Sequence, residues 1–217
     1  MRSRNKFLIF LISTFFLNIS YLSLGNEKDY SFLIKKGMKY FKDKNYDLAE
    51  NTWKPVADSE NIEAQFYMGT LYEEQNQYDL AEKYYRLAAD KGYLPAQNYL
   101  GHLYYFKKKD YKSAEKYYQM SADQGSDFGY CGLGYVYNLL GKEELAEKNY
   151  LIGAELGDHV SQNNLGVLYS KQGRYRLAYK YFKMSAKQGY TPAKENLEGF
   201  KKKLLNLSFK EKILFYK

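Results

Sequence analysis

Residues 96–104 read Ala-Gln-Asn-Tyr-Leu-Gly-His-Leu-Tyr, a glycine followed three places later by a tyrosine. That pair returns along the chain. Gly37, Gly69, Gly101, Gly134 and Gly166 are separated by 32, 32, 33 and 32 residues, and Tyr40, Tyr72, Tyr104, Tyr137 and Tyr169 keep step with them. Residues 81–92, Ala-Glu-Lys-Tyr-Tyr-Arg-Leu-Ala-Ala-Asp-Lys-Gly, supply the other half of the period. Ala81 belongs to a column with Ala49, Ala114, Ala146 and Ala178; four residues on stand Trp53, Tyr85, Tyr118, Tyr150 and Phe182, and eight residues on Ala57, Ala89, Ala122, Ala154 and Ala186. Steps of three, four and eight are helical, so each unit holds two amphipathic helices, an A helix carrying the glycine and a B helix carrying the alanines. Periods of this size belong to repeat arrays.

The columns have a packing reason. Glycine and alanine let helix backbones approach, while Tyr, Trp and Phe fill the space beside them. One helix pair cannot bury such a face, but five stacked pairs make a continuous core, which predicts an all-α superhelical solenoid with contacts mainly between neighbouring units. The 26 tyrosines are read chiefly as ladder residues of that core, their hydroxyls reaching solvent or backbone at the edges. Gly92, Gly125, Gly157 and Gly189 end the B helices in the left-handed conformation. Pro95 and Pro192 suit the start of the next A helix. Pro55 should remove one bond to the Asn51 carbonyl and bend the first B helix, marking an N-terminal cap unit. Gly129, Gly132, Gly134 and Gly153 thin the fourth unit, as closer packing or as a point where the solenoid flexes.

These residues resemble the Sel1-like repeat, a relative of the tetratricopeptide repeat. Residues 81–92 and 96–104 carry the likeness, and Trp53-Lys54-Pro55-Val56-Ala57 resembles the Trp-x-Pro-x-Ala form common in a first Sel1-like unit. The likeness spans about residues 31–198 and implies a right-handed α/α superhelix. Units are expected at 31–62, 63–94, 95–127, 128–159 and 160–192, with a partial unit at 193–198 and a basic amphipathic capping helix at 199–217. The distance from glycine to the first alanine is 12 residues, or 13 in the third unit, as in tetratricopeptide repeats; from that alanine to the next glycine it is always 20, the Sel1-like value.

The termini account for most of the charge. Arg2, Arg4 and Lys6 precede the apolar run Phe7 to Leu17, and Ser23-Leu24-Gly25 offers small residues for cleavage, so residues 1–25 read as a secretory signal. An uncleaved anchor is the alternative, since apolar character continues through Leu24. Removing the three basic residues lowers the net charge from +8 to +5, and residues 196–217, with six Lys and two Glu, hold +4 of that. The body is nearly neutral, which argues against a nucleic-acid groove. The Lys-rich tail offers either a cap or peripheral contact with an anionic membrane. Mean hydropathy of −0.65 leaves no room for several membrane spans. One Cys forbids an intrachain disulfide, and with two His it leaves no set for a zinc site of His and Cys ligands, so neither metal nor cofactor is expected.

Little in the chain suggests chemistry. His102 and Cys131 stand where adjacent A helices could bring a thiol to an imidazole, but no oxyanion hole accompanies them. Ser113-Ala114-Glu115-Lys116 matches Ser-x-x-Lys formally, without the companion motifs of a β-lactamase. Some secreted Sel1-like proteins are linked to penicillin binding or weak β-lactamase activity, but they carry paired cysteines that are missing here. Binding is the expected work. By analogy with tetratricopeptide grooves, the concave face is assigned to residues three before, one after and four after each glycine: Phe66, Thr70 and Glu73; Asn98, His102 and Tyr105; Cys131, Tyr135 and Asn138; Asn163, Val167 and Ser170. This amide-rich, aromatic set lacks the Lys and Arg of a carboxylate clamp and suits an extended protein or peptide segment, held by Asn amides and aromatic packing.

Overall fold

A computed structural model of the protein describes residues 30–205. Residues 1–25, read from the sequence as a secretory signal, and residues 206–217 of the basic tail lie outside the described residues. Eleven helices follow one another there: α1 Ser31–Lys42, α2 Tyr46–Asp58, α3 Ile62–Glu74, α4 Tyr78–Ala89, α5 Leu94–His102, α6 Tyr111–Asp123, α7 Asp127–Leu139, α8 Glu143–Glu155, α9 His159–Lys171, α10 Tyr175–Lys187 and α11 Thr191–Leu205. Each packs on the helix before it and the helix after it, giving an all-α repeat solenoid of five pairs followed by α11. No strand occurs among the described residues.

The A-helix glycines are seats for B-helix rings. A methyl group on Gly101 would stand 2.7 Å from the Tyr118 ring, and one on Gly166 would stand 2.5 Å from that of Phe182. Trp53, Tyr85 and Tyr118, at the same place in their units, are essentially fully buried. Trp53 Nε1 donates to the Ile34 carbonyl at 3.2 Å, so even its polar edge is satisfied within the unit. α2 runs unbroken from Tyr46 to Asp58 with Pro55 inside it.

Every connection contains one left-handed residue. Between units these are Glu60, Gly92, Gly125, Gly157 and Gly189, and within units Lys44, Asn76, Lys109, Gly141 and Gly173. The within-unit turns share one bond. The backbone N–H two to four residues into the turn reaches back to the carbonyl of the tyrosine column, from Asn45 to Tyr40, Gln77 to Tyr72, Asp110 to Tyr104, Lys142 to Tyr137 and Arg174 to Tyr169. The span is five residues except in the third unit, where it is six. The extra residue there is absorbed as a π-helical stretch, Leu103–Lys108, that continues α5.

The Tyr105 hydroxyl reaches a backbone carbonyl, that of Tyr135, at 3.5 Å, as the sequence suggested, whereas four hydroxyls of the glycine-linked tyrosine column are clips between units. Tyr72, Tyr104, Tyr137 and Tyr169 donate to Glu50, Glu82, Glu115 and Glu147 of the preceding B helix, each at 2.8 Å and each across 22 residues. A buried amide column works beside them. Gln65, Gln97 and Gln162 donate to the carbonyls of Ala57, Ala89 and Ala154, closing the last turn of the preceding B helix. Buried polar groups with fixed partners hold one register between units.

The glycines of the fourth unit mark close approaches. A methyl on Gly129 would lie 2.5 Å from the Ala122 amide nitrogen, and one on Gly153 would lie 2.5 Å from Ser161 Oγ. Close packing, one of the two readings offered by the sequence, therefore has a structural cause at these positions. α11 carries the chain from the partial unit into the tail without a break, and its Phe200 is buried against Phe182 and Tyr175.

Candidate functional site

A groove of about 730 Å³ runs across the A helices of the first four units, lined by Phe41, Thr70, Glu73, Glu74, Asn76, Tyr99, His102, Lys107 and Phe128. Thr70, Glu73 and His102 were expected there from the sequence. Phe41 occupies the four-after position of the first unit, for which no candidates were named. Val167 and Ser170 line a smaller recess of about 310 Å³ that α11 partly closes with Asn196, Phe200 and Lys203. Tyr105 and Tyr135 lie between the two, their ring centres 5.8 Å apart. Asn138 is exposed beyond them.

The residues three before each glycine do not join this face. Phe66 is in the core, 9% exposed, surrounded by the rings of Tyr67, Tyr85, Tyr93 and Tyr99. Asn163 is 7% exposed and accepts from Asn196 Nδ2 at 2.8 Å. Asn98 is half-buried and accepts from the hydroxyls of Ser121 and Ser126. Cys131 is buried, and burial pushes its thiol well above the usual range, with Asp158 adding to the effect. These residues sit near the A-helix N-terminus, where the following unit covers them; of the positions assigned from the sequence, Thr70, Glu73 and His102 line the groove.

The π-helical stretch adds what the sequence did not foresee. It ends at Lys109 in the left-handed conformation and leaves Phe106 on the surface, 39% exposed. Phe106 meets His102 with ring centres 4.5 Å apart, Tyr105 at 4.7 Å and Tyr135 at 5.9 Å. A continuous aromatic stripe results. The visible signal was the 13-residue spacing of the third unit, which a π turn converts into one more exposed ring.

The electrostatics are set by Glu73. Its Oε2 accepts from Tyr85 Oη at 2.7 Å, and its Oε1 lies 3.9 Å from His102 Nδ1. Burial lowers the pKa of His102, opposed by Glu73 and reinforced by Lys107. The imidazole is accordingly neutral at neutral pH. Lys107 lies over the Tyr78 ring, 5.4 Å from its centre.

The two chemical motifs take structural roles. Cys131 is packed with Asp158, Ser161 and Tyr135, toward the fifth unit, whereas His102 faces Glu73 of the second. Ser113 caps α6 with Asp110, whose carboxylate accepts from the Ser113 amide at 3.1 Å and from its hydroxyl at 2.6 Å. Those bonds hold the Asp110 carboxyl below its ordinary value. Lys116 lies over the Tyr117 ring, 4.7 Å from its centre. Among the described residues no group of three or more His, Cys, Asp or Glu is placed to hold a metal ion.

The tetratricopeptide-repeat family pattern matches residues 163–193 and residues 62–90. A Sel1 repeat protein from Oxalobacter formigenes is 25% identical, with a TM-score of 0.63 over 79% of this chain and 80% of that one. The chain resembles Sel1-like and tetratricopeptide repeat proteins in fold. A protective antigen of uropathogenic Escherichia coli strains, with an SLR fold, is 26% identical to this chain, with a TM-score of 0.61 over 69% of it. The match spans 35% of the antigen, about a third of its length. PilW, a widely conserved type IV pilus biogenesis factor, shares the fold at 14% identity, with a TM-score of 0.62 over 87% of this chain and 99% of that one. A search of curated proteins finds no match to the chain. Repeat solenoids of this type generally mediate protein–protein interaction, and the fold of this chain is consistent with that.

Proposed function

We propose that this protein is a non-enzymatic scaffold of the bacterial cell envelope that holds an extended protein or peptide segment along its concave face. The observation that carries the reading is the open groove of about 730 Å³ whose walls are aromatic and whose floor offers Thr70, Glu73 and His102. An extended segment can place side chains between the rings and exchange backbone hydrogen bonds with polar groups on the floor. Export rests on the basic and apolar run of residues 1–25, and a likeness to a protective antigen is in keeping with it. No helix among the described residues is long and apolar enough to cross a membrane. The Lys-rich tail is assigned to capping the array.

Panning a phage-displayed random nonapeptide library on the purified protein tests the reading. The expected result is an enriched consensus that is lost when Thr70→Arg fills the groove, with the far-ultraviolet circular dichroism unchanged. Absence of enrichment, or enrichment indifferent to Thr70→Arg, would overturn it. Nitrocefin turnover abolished by Ser113→Ala would establish the β-lactamase alternative instead.

A further inference from the structure

Glu73 differs from the sheltered carboxylates Glu82 and Glu147 in having no Lys or Arg partner among the described residues, a state it shares with the tyrosine-bound Glu50 and Glu115. Glu82, with 17% of its side chain exposed, is paired with Arg86 and Lys108; Glu147, at 22%, is paired with Arg174 at 2.9 Å. Glu73, at 18%, forms an ion pair with no lysine or arginine among the described residues. The basic group within 4 Å of it is His102, whose cationic form is disfavoured by burial. Tyr85 and His102 orient the carboxylate without neutralising it. A charge taken partly out of water and left without a counter-charge is costly until a cation reaches it.

The walls beside it fit such a cation. Tyr99 and Phe128, 43% and 40% exposed, and Phe41 line the same groove, and aromatic faces attract ammonium and guanidinium groups. Glu74 and Lys107, also on the wall, offset one another in charge and leave Glu73 as the net negative centre. The geometry points to a recognition pocket for one basic side chain, an arginine or lysine of a bound peptide whose cationic head pairs with Glu73 and whose stem lies between Tyr99 and Phe128. The pocket rests on the peptide-groove reading and supplies its specificity. Arginine suits it better than lysine, because a planar guanidinium both stacks on rings and forks onto a carboxylate.

The test uses synthetic nonapeptide mixtures, fluorescein-labelled, with the central residue fixed as arginine, lysine, norleucine or glutamate and the others varied equally. Fluorescence anisotropy measures their binding to the protein and to Glu73→Gln, which keeps the shape and the Tyr85 hydrogen bond. Arginine mixtures are expected to bind about tenfold more tightly than norleucine mixtures, and Glu73→Gln is expected to level the two. Equal binding of arginine and norleucine by the unmodified protein, or a preference that survives Glu73→Gln, overturns the pocket and leaves the peptide groove standing. Absence of binding by every mixture overturns both. A synthetic peptide of residues 206–217, with Lys210, Lys212 and Lys217, serves as competitor. If it displaces the arginine mixture more effectively than unlabelled mixture does, the pocket belongs to the chain's own tail and the foreign-peptide assignment falls.

Discussion

Alkali should unfold this protein at a pH set by its tyrosines. Tyr85, Tyr118 and Tyr150 are each at most 2% exposed, and burial pushes all three phenols far above their ordinary value. A raised folded-state pKa means that the native state keeps its proton where the unfolded chain loses it. The stability these groups contribute is therefore fully present below about pH 10 and is lost as the pH rises above it. At about pH 11 each phenol in the unfolded chain gains about 1.4 kcal/mol by ionising, and the three together remove about 4 kcal/mol from a total of roughly 5–15 kcal/mol. Cys131, with its thiol also pushed up, adds to the same slope from about pH 9 onward, and a Cys131→Ala background removes that share. The assay is urea denaturation at a series of pH values, with tyrosinate absorbance recorded in parallel. A late class of phenols should titrate together with the loss of helical circular dichroism. Tyr118→Phe, which removes one buried phenol and keeps its ring, should take away about 1.4 kcal/mol of the loss at about pH 11. If every tyrosine titrated as one ordinary class while the helices persisted, or if stability stayed flat to about pH 11, the assignment of these rings to a dry ladder would be refuted.

Glycine substitutions should split in sign. Gly199→Ala, at a helical position with open space around it, should stabilise by up to about 1 kcal/mol in urea denaturation, whereas Gly129→Ala, which drives a methyl into the Ala122 backbone, should destabilise by about 1–3 kcal/mol. Cys131 should resist a thiol reagent in the folded protein and react promptly in urea; rapid labelling of the native state would contradict its burial. Deleting Lys107 should let the third unit close with an ordinary five-residue span, holding the thermal midpoint while weakening peptide binding through retraction of Phe106; a collapse of the fold would show the π turn to be structurally required. Tyr85→Phe should lower stability by about 1 kcal/mol by removing the hydrogen bond to Glu73.

The architecture was legible because its cause is periodic. A glycine facing a ring every 32 or 33 residues leaves a mark that needs only one chain to be seen. The unit-to-unit glycines were legible for the same reason, whereas two within-unit turns hide the same left-handed geometry under Lys44 and Lys109, a residue type that does not announce it. The tyrosine–glutamate clips stayed hidden because donor and acceptor are 22 residues apart, in different units, and each type already had an ordinary explanation. Of the groove, the positions one and four after the glycine of the second unit, Thr70 and Glu73, stand in the lining. Phe66, Cys131 and Asn163 were misplaced because helical periodicity gives a direction around an axis but says nothing of where the next unit covers its end. Phe106 was missed because an added residue in a turn is ordinarily a loop, and here it became helix.

The clips all point one way, from a tyrosine back to the carboxylate of the unit before it. The array therefore has a grammar of growth. A duplicated copy of an internal unit, inserted in register, brings both a donor for its predecessor and an acceptor for its successor, so lengthening by duplication meets ready-made joints. After the fifth unit the sentence closes: Tyr179 stands where Glu50, Glu82, Glu115 and Glu147 stood, and a further unit of the same kind would find no carboxylate waiting for its tyrosine.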